Sequence, residues 1–184
     1  GVRPGDLVHY TFSYRFTPAG LMLDRAARAF GCAVFPAGVG QTGLQVQAMA
    51  HLRPRVYCGT PSFLKIILDK AREMEADVSS LELGTVGGEA LSGSLRGELA
   101  DRGVSVLQVY ATADVGLIAY ESSAQEGMII EESIIVEIVR PGTGDLVAEG
   151  EVGEVLVTTF DPHYPLIRFA TGDLSTFMTG QSPC

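Results

Sequence analysis

An α/β fold, a parallel sheet with covering helices followed by an antiparallel β-rich subdomain, is predicted by three features of the 184-residue sequence. Short apolar, β-branched runs recur as far as Tyr110, with stretches of helical periodicity between them, the alternation that builds a parallel sheet. Past Tyr110 such runs follow one another without helices, as in an antiparallel sheet. The composition, 46% apolar and 19% charged, is that of a chain able to bury a core. The expected division is residues 1–116 for the α/β part and 117–184 for the β-rich part.

The strands of the first part are expected at Leu7–Phe12, Cys32–Phe35, Arg55–Cys58, Leu81–Val86 and Val104–Tyr110. One helix start is well signalled: Thr60 can cap free backbone amides, and Pro61 stands at the first helical position, where a missing N–H costs nothing. The helix should run to about Ala76. Phe63, Ile66, Ile67, Lys70, Ala71 and Met74 divide it into an apolar face and a charged face, with its lysines solvated. In the second part, strands are expected at Leu117–Glu121, Met128–Glu132, Ile134–Val139, Val152–Thr158 and Leu166–Phe169, with a hairpin tip at Pro141-Gly142-Thr143-Gly144-Asp145.

Several function classes are disfavoured by composition. With 13 basic and 22 acidic residues the net charge is −9, which leaves no broad basic surface for nucleic acid or anionic lipid. No apolar run approaches the length that spans a bilayer. The three cysteines give no disulfide framework, which favours a cytoplasmic location, and Cys32 and Cys58 sit in strand-like runs as buried thiols. His9, His51 and His163 lack ligand-spaced partners and are expected to be structural. The chain opens on Gly1 and ends Gly180-Gln181-Ser182-Pro183-Cys184, and the expectation is that it is a piece of a longer protein.

Gly38-Val39-Gly40-Gln41-Thr42-Gly43 matches the dinucleotide pattern G-x-G-x-x-G. Pro36 and Ala37 separate it from the preceding strand, and the next strand ends in Cys58-Gly59 without a carboxylate for a ribose hydroxyl, so a glycine-rich turn is the better reading. Tyr10, Phe12, Tyr14 and Phe16 alternate so as to place four rings on one face of an extended segment. They serve either core packing or, for Phe12, Tyr14 and Phe16, the wall of an acyl pocket.

Three segments carry chemistry as an ordered set. Thr85-Val86-Gly87-Gly88-Glu89-Ala90-Leu91 ends one strand, Val109-Tyr110-Ala111-Thr112-Ala113-Asp114 ends another, and Arg168-Phe169-Ala170-Thr171-Gly172-Asp173 follows later. Strand ends on the ligand-binding side of a parallel sheet would gather a ring, a hydroxyl and carboxylates.

At these residues, and over essentially its whole length, the sequence resembles the adenylate-forming superfamily, and within it the phenylacetate–coenzyme A ligases. Gly87-Gly88-Glu89-Ala90 looks like the family's adenine-site strand end, Tyr110 through Asp114 stands in the place of its Tyr-Gly-x-Thr-Glu motif, and Thr171-Gly172-Asp173 looks like its ribose motif. Gly153-Glu154-Val155-Leu156-Val157 and Cys58-Gly59-Thr60-Pro61-Ser62 resemble further family segments. The sequence departs from the pattern at Ala111, which replaces glycine, at Ala113, which replaces a threonine, and at Asp114, one methylene shorter than glutamate.

The resemblance implies an enzyme that uses ATP to convert a small aromatic or aliphatic carboxylic acid into an acyl-adenylate and passes the acyl group to coenzyme A. Gly87, Gly88, Glu89, Ala90, Tyr110, Ala111 and Thr112 would hold the nucleotide, with Tyr110 packed on adenine and Asp173 on the ribose hydroxyls. Asp114 would bind Mg2+, and Thr112 is the one hydroxyl left in its motif. The family's phosphate loop would precede Gly1, its second lysine would follow Cys184, and Lys65 and Lys70 serve in place of neither. A carrier-protein acceptor, a non-catalytic nucleotide-binding or dimerisation module, and more distantly a nicotinamide enzyme are the alternatives. A homodimer is left open.

Overall fold

The structure is a computed structural model that describes residues 1–180; Cys184, the third cysteine, lies outside the described residues. The chain divides into two compact units, Gly1–Gln108 and Val109–Cys184, with the division inside a strand.

The first unit is an α/β layer structure. Its strands are β1 (Leu7–Tyr10), β2 (Ala33–Pro36), β3 (Val56–Gly59), β4 (Leu83–Val86) and the first half of β5 (Ser105–Thr112), all parallel, in the order β2-β1-β3-β4-β5. Helices α1 (Ala19–Ala29), α2 (Thr42–Leu52), α3 (Pro61–Glu73) and α4 (Gly93–Asp101) are the crossovers. Alternation along β1 and β3 sorts the core. Val8, Tyr10, Val56 and Cys58 pack with Leu23 and Ala27 of α1, whereas Tyr57 packs with Val46 and Met49 of α2 and Leu64, Ile67 and Ala71 of α3. Every residue of β3 is buried, as a central strand covered on both faces requires. Cys32 and Cys58 are buried free thiols, and burial pushes the Cys58 thiol up to about 12.

Helix α3 starts as its sequence demands, with Thr60 extended at the N-cap and its hydroxyl accepting the Phe63 N–H at 3.4 Å. It stops at Glu73, short of Ala76, because Glu75 takes the left-handed conformation at φ 52. Its lysines are not simply solvated. Lys65 pairs with Asp69 (2.9 Å) and with Glu98 of α4 (2.8 Å), Arg102 closes the same cluster on Asp69 and Glu98 (2.6 Å each), and Lys70 pairs with Glu73 (2.6 Å).

The second unit is antiparallel. The second half of β5 pairs with β6 (Gly116–Tyr120), and β6 with β7 (Ile129–Ile130). A three-stranded sheet orders β10 (Phe169–Ser175), β9 (Gly153–Thr159) and β8 (Ile134–Val139). Ile118, Ile138, Val155 and Val157 form the core. The turn at Pro141–Asp145 closes between Val139 and Leu146, with the Arg140 N–H on the Asp145 carbonyl at 2.8 Å. The last strand lies later than expected. Leu166–Phe169 does not extend, because Arg168 is left-handed at φ 49, and β10 begins only at Phe169. Among the described residues, no helix is long and apolar enough to cross a membrane.

Candidate functional site

In the first unit the segment Gly87–Ala90 leaves β4 as a turn. Gly87 N–H donates to the Gly59 carbonyl at 3.1 Å, continuing the ladder by one bond, and Gly88 then reverses the chain at φ 78. That angle suits glycine, and a Cβ at 88 would sit 3.5 Å from the Phe12 ring and 3.7 Å from the Thr60 methyl. The Glu89 carboxylate accepts the Ser62 N–H of α3 at 2.7 Å. Below the turn, Tyr57 Oη donates to the Thr60 carbonyl at 2.9 Å and Thr11 Oγ1 stands 2.9 Å from Tyr57 Oη. Burial pushes the Tyr57 phenol upward.

The aromatic stripe is only partly realised. Strand β1 ends at Tyr10, so the period-two alternation that would align four rings does not continue. Phe12 and Tyr14 gather round buried Tyr10, with ring centroids 5.8 and 5.6 Å away, and Tyr14 Oη donates to Asp24 at 3.0 Å. Phe16 does not join them: it is left-handed at φ 56 and fully exposed.

The glycine-rich segment behaves as a turn held from within. Gln45 of α2 donates its amide to the Gly38 and Gly40 carbonyls at 2.9 and 2.6 Å, so its oxygen is the acceptor that meets His9 Nε2 at 2.8 Å. Burial lowers the His9 pKa. This histidine is structural.

In the second unit, two irregularities of the sheets bring together side chains that lie 63 residues apart. The β5–β6 register shifts between Tyr110 and Ala111, so that Tyr110 opposes Ala119 and Ala111 opposes Leu117. The β9–β10 register shifts between Ala170 and Leu174, which oppose Leu156 and Glu154. Thr171-Gly172-Asp173 therefore bulges from the interior of β10 instead of following a strand end, and Gly172 supplies the positive φ of 80 that the bulge needs. Bulges re-aim side chains, and here both do so to one effect. Tyr110 Oη donates to Asp173 Oδ2 at 2.6 Å and lies 3.1 Å from Thr171 Oγ1.

Thr171 completes the arrangement. Its oxygen is 3.1 Å from the Val155 carbonyl and accepts the Asp173 N–H at 3.2 Å. A phenol has one proton, and at 2.6 Å from a carboxylate that proton goes to Asp173. Burial, then the bond to Asp173, pushes the Tyr110 phenol up to about 12. The entry to β10 is clamped by Arg168, whose N–H meets Thr158 Oγ1 at 3.0 Å and whose guanidinium spans Glu137 (3.1 Å) and the Gly144 carbonyl (2.7 Å). The sequence by itself assigns Thr171 no role. The Thr-Gly-Asp triplet inside a strand, with its small and turn-prone residues, is the signal that could have found the bulge.

Thr112 ends β5, and Ala113, Asp114 and Val115 form the connection to β6. Thr112 Oγ1 accepts the Val115 N–H at 3.2 Å, which shapes the turn, and Asp114 is exposed beside exposed Ala111 and Ala113. Among the described residues no three His, Cys, Asp or Glu side chains converge as a metal cluster. Mg2+ is commonly held by one or two carboxylates together with substrate phosphates, and exposed Asp114 fits as one such ligand.

Residues 26–160 match the family model described as AMP-binding enzyme. The chain is 31% identical to the phenylacetate-coenzyme A ligase of Aromatoleum evansii, over 97% of its own length and 42% of that protein's. It is 32% identical to the phenylacetate-coenzyme A ligase of Escherichia coli, over 98% and 43%. The chain thus spans somewhat under half the length of these relatives. Among solved structures, 2-hydroxyisobutyryl-CoA ligase in the postadenylation state, in complex with 2-HIB-AMP, superposes with a TM-score of 0.91 at 23% identity, covering 100% of this chain and 42% of that one. The family match covers most of the chain and its two motif-bearing units take the corresponding fold, so the chain belongs to the AMP-binding enzyme family.

Proposed function

We propose that this chain is the nucleotide-handling part of an ATP-dependent acid–thiol ligase, which activates a small aromatic or aliphatic carboxylic acid as its acyl-adenylate and transfers the acyl group to coenzyme A. The observation that carries the reading is the Tyr110–Asp173 pair, built on two bulges and held by Thr171. A carboxylate whose second oxygen remains available beside a bound phenol can accept from two adjacent ribose hydroxyls, and the Tyr110 ring offers a face to a purine. The relatives named phenylacetate-coenzyme A ligase support coenzyme A as the acceptor and an aromatic acid as a substrate class.

In this reading Gly87, Gly88 and Ala90 offer backbone to the adenine, while Thr112 donates its hydroxyl proton to phosphate, its oxygen being engaged by Val115. Asp114 would be one carboxylate ligand of Mg2+, which supplies charge neutralisation for the departing pyrophosphate. Phe12 and Tyr14 serve as apolar wall for the acid. The test is exchange of pyrophosphate into ATP by the full-length protein. Exchange that depends on an added carboxylic acid is the expected result. A folded protein that binds ATP but exchanges nothing with any of a panel of aryl and alkyl acids would remove the ligase reading in favour of a non-catalytic nucleotide-binding module.

A further inference from the structure

The amino end of α3 is closed from two sides, and one of them is the Gly87–Ala90 turn. A helix leaves the amides of its first turn without intrahelical partners. In α3, Pro61 has no N–H, Phe63 N–H reaches the Thr60 hydroxyl at 3.4 Å, and Leu64 N–H reaches the Thr60 carbonyl at 3.2 Å. The remaining amide, Ser62 N–H, donates to Glu89 Oε1 at 2.7 Å across 27 residues of sequence. Each amide of the first turn is thus accounted for, and none is left to receive an anionic ligand. The helix start is itself anchored from beneath by Tyr57 Oη on the Thr60 carbonyl, at 2.9 Å.

A carboxylate is well matched to this place, because the aligned peptide dipoles leave partial positive charge at a helix amino end. The same carboxylate would be poorly matched to a triphosphate, whose charge it would repel. We propose that Glu89 is a positioning residue: its carboxylate latches the Gly87–Ala90 turn onto the amino end of α3 and fixes the backbone of that turn before a nucleotide arrives. The latch stands on the hydrogen bond and on the narrow space at Gly88, where an added Cβ would come into van der Waals contact with Phe12 and Thr60. Its purpose rests on the nucleotide reading proposed above. Glu89 then contributes to the site through main-chain geometry, without touching the ligand.

The experiment is amide exchange and chemical-shift mapping by NMR on this chain and on its Glu89→Ala and Glu89→Gln variants, with cooperative urea unfolding to show that each is folded. Loss of a capping acceptor of about 1 kcal/mol corresponds to about fivefold faster exchange of the Ser62 amide in Glu89→Ala. The Gly87, Gly88 and Ala90 signals should move or broaden together with it. Glu89→Gln retains an acceptor oxygen and should restore most of both. Unchanged Ser62 exchange in Glu89→Ala overturns the proposal, and so does faster Ser62 exchange with the 87–90 signals unmoved, which would make Glu89 a helix cap and nothing more. Titration with adenosine separates the latch from its purpose. Weakened binding in Glu89→Ala that is rescued in Glu89→Gln supports the proposal, whereas equal loss in both with undisturbed exchange makes Glu89 a direct ligand and overturns it. An unmodified chain that binds no adenosine counts against the nucleotide reading alone, since the exchange data stand without it.

Discussion

Replacing Tyr110 with phenylalanine removes one oxygen atom from the second unit and leaves the aromatic ring where it is. The lost contact is the 2.6 Å bond to Asp173, with the nearby Thr171 hydroxyl still able to turn to the Val155 carbonyl. A hydrogen bond to a charged acceptor contributes about 1.5–3 kcal/mol when shielded, and Asp173 is exposed, which brings the expected loss down to about 1 kcal/mol. At a urea dependence of about 2 kcal/mol per molar, the unfolding midpoint should fall by roughly 0.5 M with an unchanged slope. The pH dependence gives a second reading. The folded state holds the phenol neutral up to about 12 against an ordinary value of 10.0, so between those values it binds more protons than the unfolded chain. The stabilisation is therefore complete below the ordinary value and is lost as pH rises through 12, and the gap between the parent and Tyr110→Phe should narrow there. Adenosine affinity should fall by up to about fivefold, because Asp173 loses the partner that orients it. Identical midpoints near neutral pH, with identical adenosine affinities, would refute the idea that the hydroxyl orders Asp173 and would leave only the ring face with a role.

In the full-length protein, Asp173→Ala should weaken ATP binding by about tenfold or more, with or without metal, by calorimetry. Asp114→Asn should instead lower pyrophosphate exchange in a way that added Mg2+ partly restores, and an unchanged Mg2+ dependence would leave Asp114 a turn residue. Gly59→Ala should destabilise the first unit by about 1–3 kcal/mol in urea unfolding, because the new Cβ overlaps Thr11 Oγ1 and Tyr57 Oη. The α3–α4 ion cluster should fail on the acid side. Asp69 is held below its ordinary 3.8 by bonds from Lys65 and then Arg102, and Glu98 below its 4.5 by Lys65, so their stabilisation is present above those values and is lost as pH falls through the lower folded ones. Arg102→Met should flatten the acid limb of the stability profile, and an unaltered limb would count against the cluster.

The parts of the fold that follow from local chemistry were legible in the sequence. Thr60-Pro61 announces α3 through the N-cap and the absent N–H, and β8 at Ile134–Val139 announces itself through a β-branched run interrupted only by Glu137. Parallel and antiparallel halves were separable because only the first alternates strands with helical periodicity. What was not legible depends on long-range register. Nothing in Arg168-Phe169-Ala170-Thr171-Gly172-Asp173 reveals that Arg168 turns left-handed to reach Glu137 and Gly144, which delays β10. The Phe12 to Phe16 alternation misled in the opposite sense, since spacing of two fixes a face only where a ladder continues, and β1 ends at Tyr10. The Tyr110–Asp173 bond spans 63 residues and two register shifts, so the residue types could be suspected while their contact could not. Glu89 stood in a motif, and only the fold gives its carboxylate to Ser62.

The β10 bulge has a parity. From Ala170 to Leu174 the strand takes four steps while β9, from Leu156 to Glu154, takes two, so the excess is even and the in-and-out alternation of side chains resumes in phase beyond it. Removing one residue of the triplet would turn every later side chain of β10 to the opposite face. Removing two would let the ladder close as a regular sheet with Leu174 still facing as it does now. The sheet therefore has no need of the excursion for its own packing, and Asp173 rides on a detachable loop of backbone whose loss would remove the carboxylate while leaving the pattern of β10 intact.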